Sequence, residues 1–146
     1  MTVQLLKELF ERDLNKMIAE INSYQNEKQM WELRGDVLNS GGNLCLHIVG
    51  NLNHFIGATL GNTGYIRERD AEFNSKNIAR QLIVMQLNQT IVMVKNTFDN
   101  LKDDDLAKIY PINKWEKEWT TLQLLLHLYS HLNYHLGQLN YHRRMV

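Results

Sequence analysis

Proline is nearly missing from this chain: Pro111 is the only one in 146 residues. Proline breaks helix interiors, so its scarcity permits long uninterrupted helices. Strict apolar/polar alternation and Asn-Gly or Asp-Gly hairpin turns are also missing, which removes the usual support for strands. Cys45 is the only cysteine, so no intramolecular disulfide can form, and a reducing compartment is expected. Sixteen basic residues balance sixteen acidic ones. With no net charge and no basic stripe interleaved with aromatics, nucleic acid and anionic lipid are disfavoured partners. No uncharged apolar run is long enough to span a bilayer. The first residues do not follow the basic-then-apolar order of a signal peptide. A cytoplasmic protein with no membrane partner is the expectation.

Hydrophobic residues make up 44% and charged residues 22%, ordinary globular usage that suits one domain over residues 1–146 with a full-sized core. Apolar residues recur at three- and four-residue steps in four stretches. The first runs over about residues 3–31, through Val3, Leu6, Phe10, Leu14, Met17, Ile21, Tyr24 and Trp31. The second follows Ser40, Gly41, Gly42 and Asn43, a capping cluster, and carries Leu44, Ile48, Asn51, Phe55 and Ala58. A long polar connection runs from Gly61 to about Asn77. The third stretch covers about residues 78–101, with Val84, Leu87, Ile91, Val94, Phe98 and Leu101 as its seam, widened by Met85 and Val92. Met85 and Met93 are read as core residues. The fourth starts near Thr120 or Thr121 and continues to about Arg144. Four such helices add up to an all-α four-helix bundle. Trp115 and Trp119 are expected to cover one bundle end or a subunit contact.

Histidine carries the chemistry. His131 and His135 lie four residues apart, so on a helix they leave one face about one turn apart. That spacing suits two-point capture of a divalent ion. His127 makes His127/His131 an equally valid pair, and the three rings span about 12 Å along the helix, too far for one ion. Spacing does not choose between the pairs. A third ligand must come from a facing helix. His47 is the best placed, and His54, about 10 Å further along the axis, cannot share the same ion with it. A histidine on an amphipathic helix is more often a half-buried polar residue than a ligand. Cys45, two residues before His47, points to nearly the opposite side and is read as packing. In the polar connection, Arg67 and Arg69 interleave with Glu68, Asp70 and Glu72. Such a run forms a buried ion-pair network that pins the crossover, or presents a guanidinium to an anionic substrate. The structural reading is slightly favoured. No Gly-rich phosphate loop, Gly-x-Ser-x-Gly elbow or HExxH helix is present.

His131, His135, Gly137 and Gln138, together with the stretch from Leu44 to Ile56 and the segment from Ile66 to Phe73, resemble the DinB-like superfamily. That superfamily includes YfiT-like metalloenzymes and the bacillithiol and mycothiol S-transferases. The resemblance covers most of the chain, and is nearest to a subgroup of unassigned activity. It implies an up-down-down-up bundle with a long crossover between the second and third long helices, and a homodimer. It also implies a three-histidine site for nickel, zinc or a similar ion, whose motif falls on His47, His131 and His135. His54 and His127 then become neighbouring residues.

Two functions follow as expectations. One is a divalent-metal-dependent enzyme, a thiol-dependent S-transferase or a hydrolase, acting on a small electrophilic substrate. Water or a low-molecular-weight thiol is activated at the ion. Gln138 orients a ligand or substrate, and Arg67 or Arg69 holds a carboxylate. Thiol transfer is suggested by the resemblance alone. The alternative is a non-catalytic interaction or stress-associated bundle whose histidines are structural.

Overall fold

A computed structural model describes residues 1–113 and 116–146. Helix α1 spans Thr2–Asn22, and a 3-10 turn, Lys28–Trp31, follows it. Helix α2 spans Gly41–Leu52 and continues into a π-helical stretch, Asn53–Ala58. A short α3, Arg69–Asn74, interrupts the connection to α4, Arg80–Asp99. A second 3-10 turn, Asp103–Ala107, precedes α5, Thr121–Met145. No helix among the described residues is long and apolar enough to cross a membrane. Trp115 lies outside the described residues.

Side-chain contacts give the directions of the helices. The Val3 amide at the start of α1 donates to Asp103 beyond the end of α4 (2.9 Å), and Arg80 at the start of α4 reaches the Tyr24 carbonyl beyond α1 (2.8 Å). These two helices are therefore antiparallel. Asp13 accepts from the Tyr129 hydroxyl (2.5 Å) and Glu20 from the Asn140 amide (2.8 Å), so α1 and α5 are parallel. Asn43 meets Lys76 just before α4, and Asn53 donates to Thr90 (2.9 Å), so α2 and α4 are parallel. The Tyr110 hydroxyl, ahead of α5, donates to the Phe55 carbonyl at the far end of α2 (2.8 Å), and His47 faces His131. Helices α2 and α5 are antiparallel. The order is up-down-down-up, with α1 and α2 each packed against both α4 and α5.

The core fills the space between these helices. Phe10, Leu14, Met17, Ile21, Ile48, Leu52, Ile83, Leu87, Leu124 and Leu132 are fully buried. Each such side chain contributes about 2 kcal/mol of apolar transfer free energy. Ser40 caps α2 through the Asn43 amide. Thr120 and Gln123 form a reciprocal capping box at the start of α5.

Three sequence expectations need correction. α1 ends at Asn22 rather than continuing to Trp31. Arg80 donates to the Asn22 and Tyr24 carbonyls, which have no helical partner at that end. Tyr24 and Met30 are still buried and Trp31 packs against the core, which is why the apolar spacing runs past the true helix end. On α4, Met85 and Val92 are 45% and 56% exposed and lie outside the seam, which Ile83 joins instead. The polar connection also holds a short helix, α3, of six residues, too short to show a helical period.

Because α2 and α4 run the same way, the chain must travel back along the bundle between them. Left-handed residues bend it at both ends of this strap: Asn62 and Gly64 near the start, Asn77 at the finish. Asn43 clamps the far end. Its amide nitrogen donates to the carbonyls of Glu72 (2.9 Å), Phe73 (3.1 Å) and Ser75 (2.9 Å). Removing this clamp strands carbonyls at the end of α3. Asn43→Ala is therefore expected to lower unfolding free energy by about 2–3 kcal/mol in a urea titration. Amide hydrogen exchange should quicken over residues 69–75 while α1 and α4 keep their protection.

Candidate metal centre

The helix directions bring three imidazoles to one spot. His47 leaves the second turn of α2, and His131 and His135 leave consecutive turns of the antiparallel α5. The Nε2 atoms of His47 and His131 are 3.2 Å apart, and those of His131 and His135 are 3.0 Å apart. One ligand atom from each of the three rings lies within 4.8 Å of the others. Nitrogens bound to one divalent ion at about 2.1 Å sit about 3.0 Å apart at adjacent octahedral positions and about 3.4 Å apart in a tetrahedron. The two separations at His131 fall in that interval.

Hydrogen bonding fixes which nitrogens can act as ligands. His47 Nδ1 lies 3.0 Å from Glu72 Oε1, so it carries the proton and donates, leaving Nε2 with its lone pair. His135 Nδ1 donates to Gln138 Oε1 (2.7 Å), which likewise frees its Nε2. His131 Nδ1 is buried and has no hydrogen-bond partner. If the His131 proton is on Nδ1, three lone pairs face one another. If it is on Nε2, only one of the two facing nitrogens receives a hydrogen bond, and Nδ1 is a buried acceptor with no donor. A cation at the shared point accommodates the three lone pairs. The donor set therefore fits a metal ion that takes imidazole ligands.

Glu72 is the partner that sequence reasoning did not single out. Its carboxylate also receives two hydrogen bonds from Arg67, Nε to Oε2 and Nη2 to Oε1, both 2.8 Å. Burial pushes the Glu72 carboxyl up, and the bonds from Arg67 and His47 more than reverse this, holding it below the ordinary value and ionised. Its approach to α2 depends on Gly50: a Cβ there would lie 1.9 Å from Glu72 Oε2. A glycine three residues after a candidate ligand was the available signal. Phe73, the next residue, covers the His47 ring at 4.9 Å between centroids.

The remaining expected residues are placed as follows. Arg67 is largely buried and committed to Glu72, with Nη2 3.5 Å from His47 Nδ1. The buried network read from the sequence is thus an Arg67–Glu72–His47 chain. Arg69 is exposed and lies over the Phe73 ring. Gln138 contacts His135 directly. His127 is exposed, stacked parallel to His131 at 6.4 Å and edge-on to Trp119 at 5.3 Å. His54 sits in the π-helical stretch against Phe55. Cys45 is fully buried, and burial pushes its thiol well above the ordinary range.

The sequence pattern of a family described as a protein of unknown function, DUF1572, matches residues 2–146. The chain belongs to the DUF1572 family. No curated protein matches the sequence of this DUF1572 chain. A conserved protein from Enterococcus faecalis, known from its crystal structure, is similar over 98% of this chain and 95% of its own. Its TM-score is 0.78 at 18% identity, which shows a shared fold.

Two outcomes follow for this DUF1572 protein. Burial, then the neighbouring His135 and His47, push the His131 pKa down from 6.5 to about 4. The folded protein therefore binds fewer protons than the unfolded chain between those values, so metal-free protein loses stability as pH falls from 6.5 towards 4. Urea midpoints at pH 7 and pH 5 should show that loss, and His131→Leu should reduce it. Separately, Glu72→Gln removes the charge behind His47. It is expected to weaken zinc affinity about 10- to 100-fold, read by competition with a chromophoric chelator.

Proposed function

We propose that this protein is a divalent-metal-dependent enzyme acting on a small electrophilic substrate. His47, His131 and His135 hold the ion, nickel or zinc. The observation that carries the reading is the convergence of three imidazoles, with His131 Nε2 3.2 Å from that of His47 and 3.0 Å from that of His135, and one ligand atom of each ring within 4.8 Å of the others. When bound, the ion supplies Lewis acidity, which turns water or a low-molecular-weight thiol into a nucleophile at neutral pH. Three protein ligands leave open positions for that nucleophile. Glu72 fixes the tautomer and aim of His47, Arg67 keeps Glu72 ionised, and Gln138 does for His135 what Glu72 does for His47. Arg69, exposed beside Phe73, is the guanidinium left to meet a substrate carboxylate. The likeness to DinB-like proteins supports thiol transfer or hydrolysis as the reaction class.

One observation favours a second reading. The three ligands join α2 to α5 across a sequence separation of 84 residues for His47 and His131, so an ion there is also a cross-link. In that reading the metal holds the bundle together without chemistry.

Elemental analysis of purified protein beside the His47→Ala, His131→Ala, His135→Ala triple variant tests the site. About one ion per chain in the natural protein and none in the variant is expected. Equal metal content in both ends the metal reading. Thermal melts with and without chelator, alongside turnover of a thiol with an electrophile, separate the two roles. Turnover that needs metal supports the enzyme, whereas a lower Tm on chelation with no turnover supports the cross-link.

A further inference from the structure

One turn beyond the three imidazoles, a cavity of about 390 Å³ opens between the loop at residues 36–39, the first turn of α2 and the last turns of α5. That volume lies within the range of small-molecule sites. Leu38, Leu44, Tyr141 and Met145 supply apolar walls. His142 also borders it, but both ring nitrogens are occupied, Nδ1 by the Tyr24 hydroxyl (2.6 Å) and Nε2 by the Glu32 carbonyl (2.8 Å). It is wall rather than recognition group.

Asn39 and the Tyr141 hydroxyl line the cavity too, and two further polar groups there matter for recognition. Gln138 accepts from His135 through Oε1, and no protein acceptor among the described residues takes its amide N–H groups. Asp36, also in the lining, is exposed and forms no ion pair among the described residues. Arg34, close by in sequence, is instead committed to the Met145 carbonyl (2.6 Å) and Glu32 (3.4 Å). Asp36 is thus the one charged group lining this cavity.

The geometry points to a binding site for a small, largely apolar amine, its ammonium group on Asp36 and its body between Leu38 and Tyr141. An oxygen on such a molecule meets the Gln138 amide, one hydrogen bond from the metal ligand His135. As a ligand site this assignment stands by itself; only as the pocket for an ammonium-bearing part of the electrophilic substrate does it rest on the enzyme reading above.

The test is a titration of protein carrying ¹³C-methyl methionine, with pentylamine and pentanoate as probes. Pentylamine is expected to shift the Met145 methyl signal saturably, and pentanoate at the same concentration to leave it unmoved. Asp36→Asn should weaken the pentylamine response about three- to fivefold, the size of a partly solvated ion pair. Tyr141→Ala should weaken it too. Both residues are exposed, so neither change threatens the fold. No shift, an equal response to pentanoate, or a pentylamine response undiminished in both variants overturns the site; the last result means capture by the ion itself. Metal content is measured on the same samples. Metal-loaded protein without a shift removes this site and leaves the metal centre standing. A shift in protein that binds no metal keeps the ligand site and removes it as the enzyme's substrate pocket.

Discussion

The Glu72 carboxylate lies against the bare backbone of α2 at Gly50, with its oxygens shared between the Arg67 guanidinium and the Nδ1 edge of His47. A carboxylate this buried is costly unless its lone pairs are filled. Here Arg67 supplies two hydrogen bonds and His47 a third. The consequence reaches beyond one ion pair. His47 is locked into the tautomer whose free nitrogen faces α5, and the strap is fastened to the middle of α2. Asn43 fastens the same strap at its other end through the backbone of α3. The long crossover is therefore the part of the chain that orients His47 on α2.

The bundle's topology makes this arrangement possible. Parallel α2 and α4 force the connecting chain to run back alongside the helix it has just left. Antiparallel α2 and α5 set the second turn of one against the middle of the other, where His131 and His135 project. The fold shared with the Enterococcus faecalis protein at 18% identity indicates how little sequence this architecture demands. The specific demands fall on small groups: a glycine where a carboxylate must approach the helix, and another at Gly42, where a Cβ would lie 2.6 Å from the Trp31 ring.

The long helices were legible because amphipathic periodicity is a local signal. Leu6, Phe10, Leu14 and Met17 mark α1 without any knowledge of partners, and the threonines at 120 and 121 mark the start of α5, where Thr120 is the cap. The end of α1 was not legible, because Tyr24 and Trp31 continue the spacing for a tertiary reason: both pack against the core from outside the helix. Met85 and Val92 misled in the opposite direction, since apolar residues on an outer face look the same in sequence as core residues. At the site, spacing offered two equal histidine pairs on α5. The resemblance selected His131 and His135, and the fold brings these two to His47 while His127 stacks outside. Glu72 was visible only as one of several acids in a mixed run. Its role depends on a contact 25 residues away across the strap, which no local pattern encodes.

If one ion is held by imidazoles from α2 and α5 together, X-ray absorption at the metal edge of the nickel- or zinc-loaded protein reads both helices at once. Three imidazole nitrogens at about 2.0–2.1 Å are expected, falling to two in His47→Ala. A first shell of oxygen alone, or a spectrum unchanged by His47→Ala, would mean that no such shared ion exists.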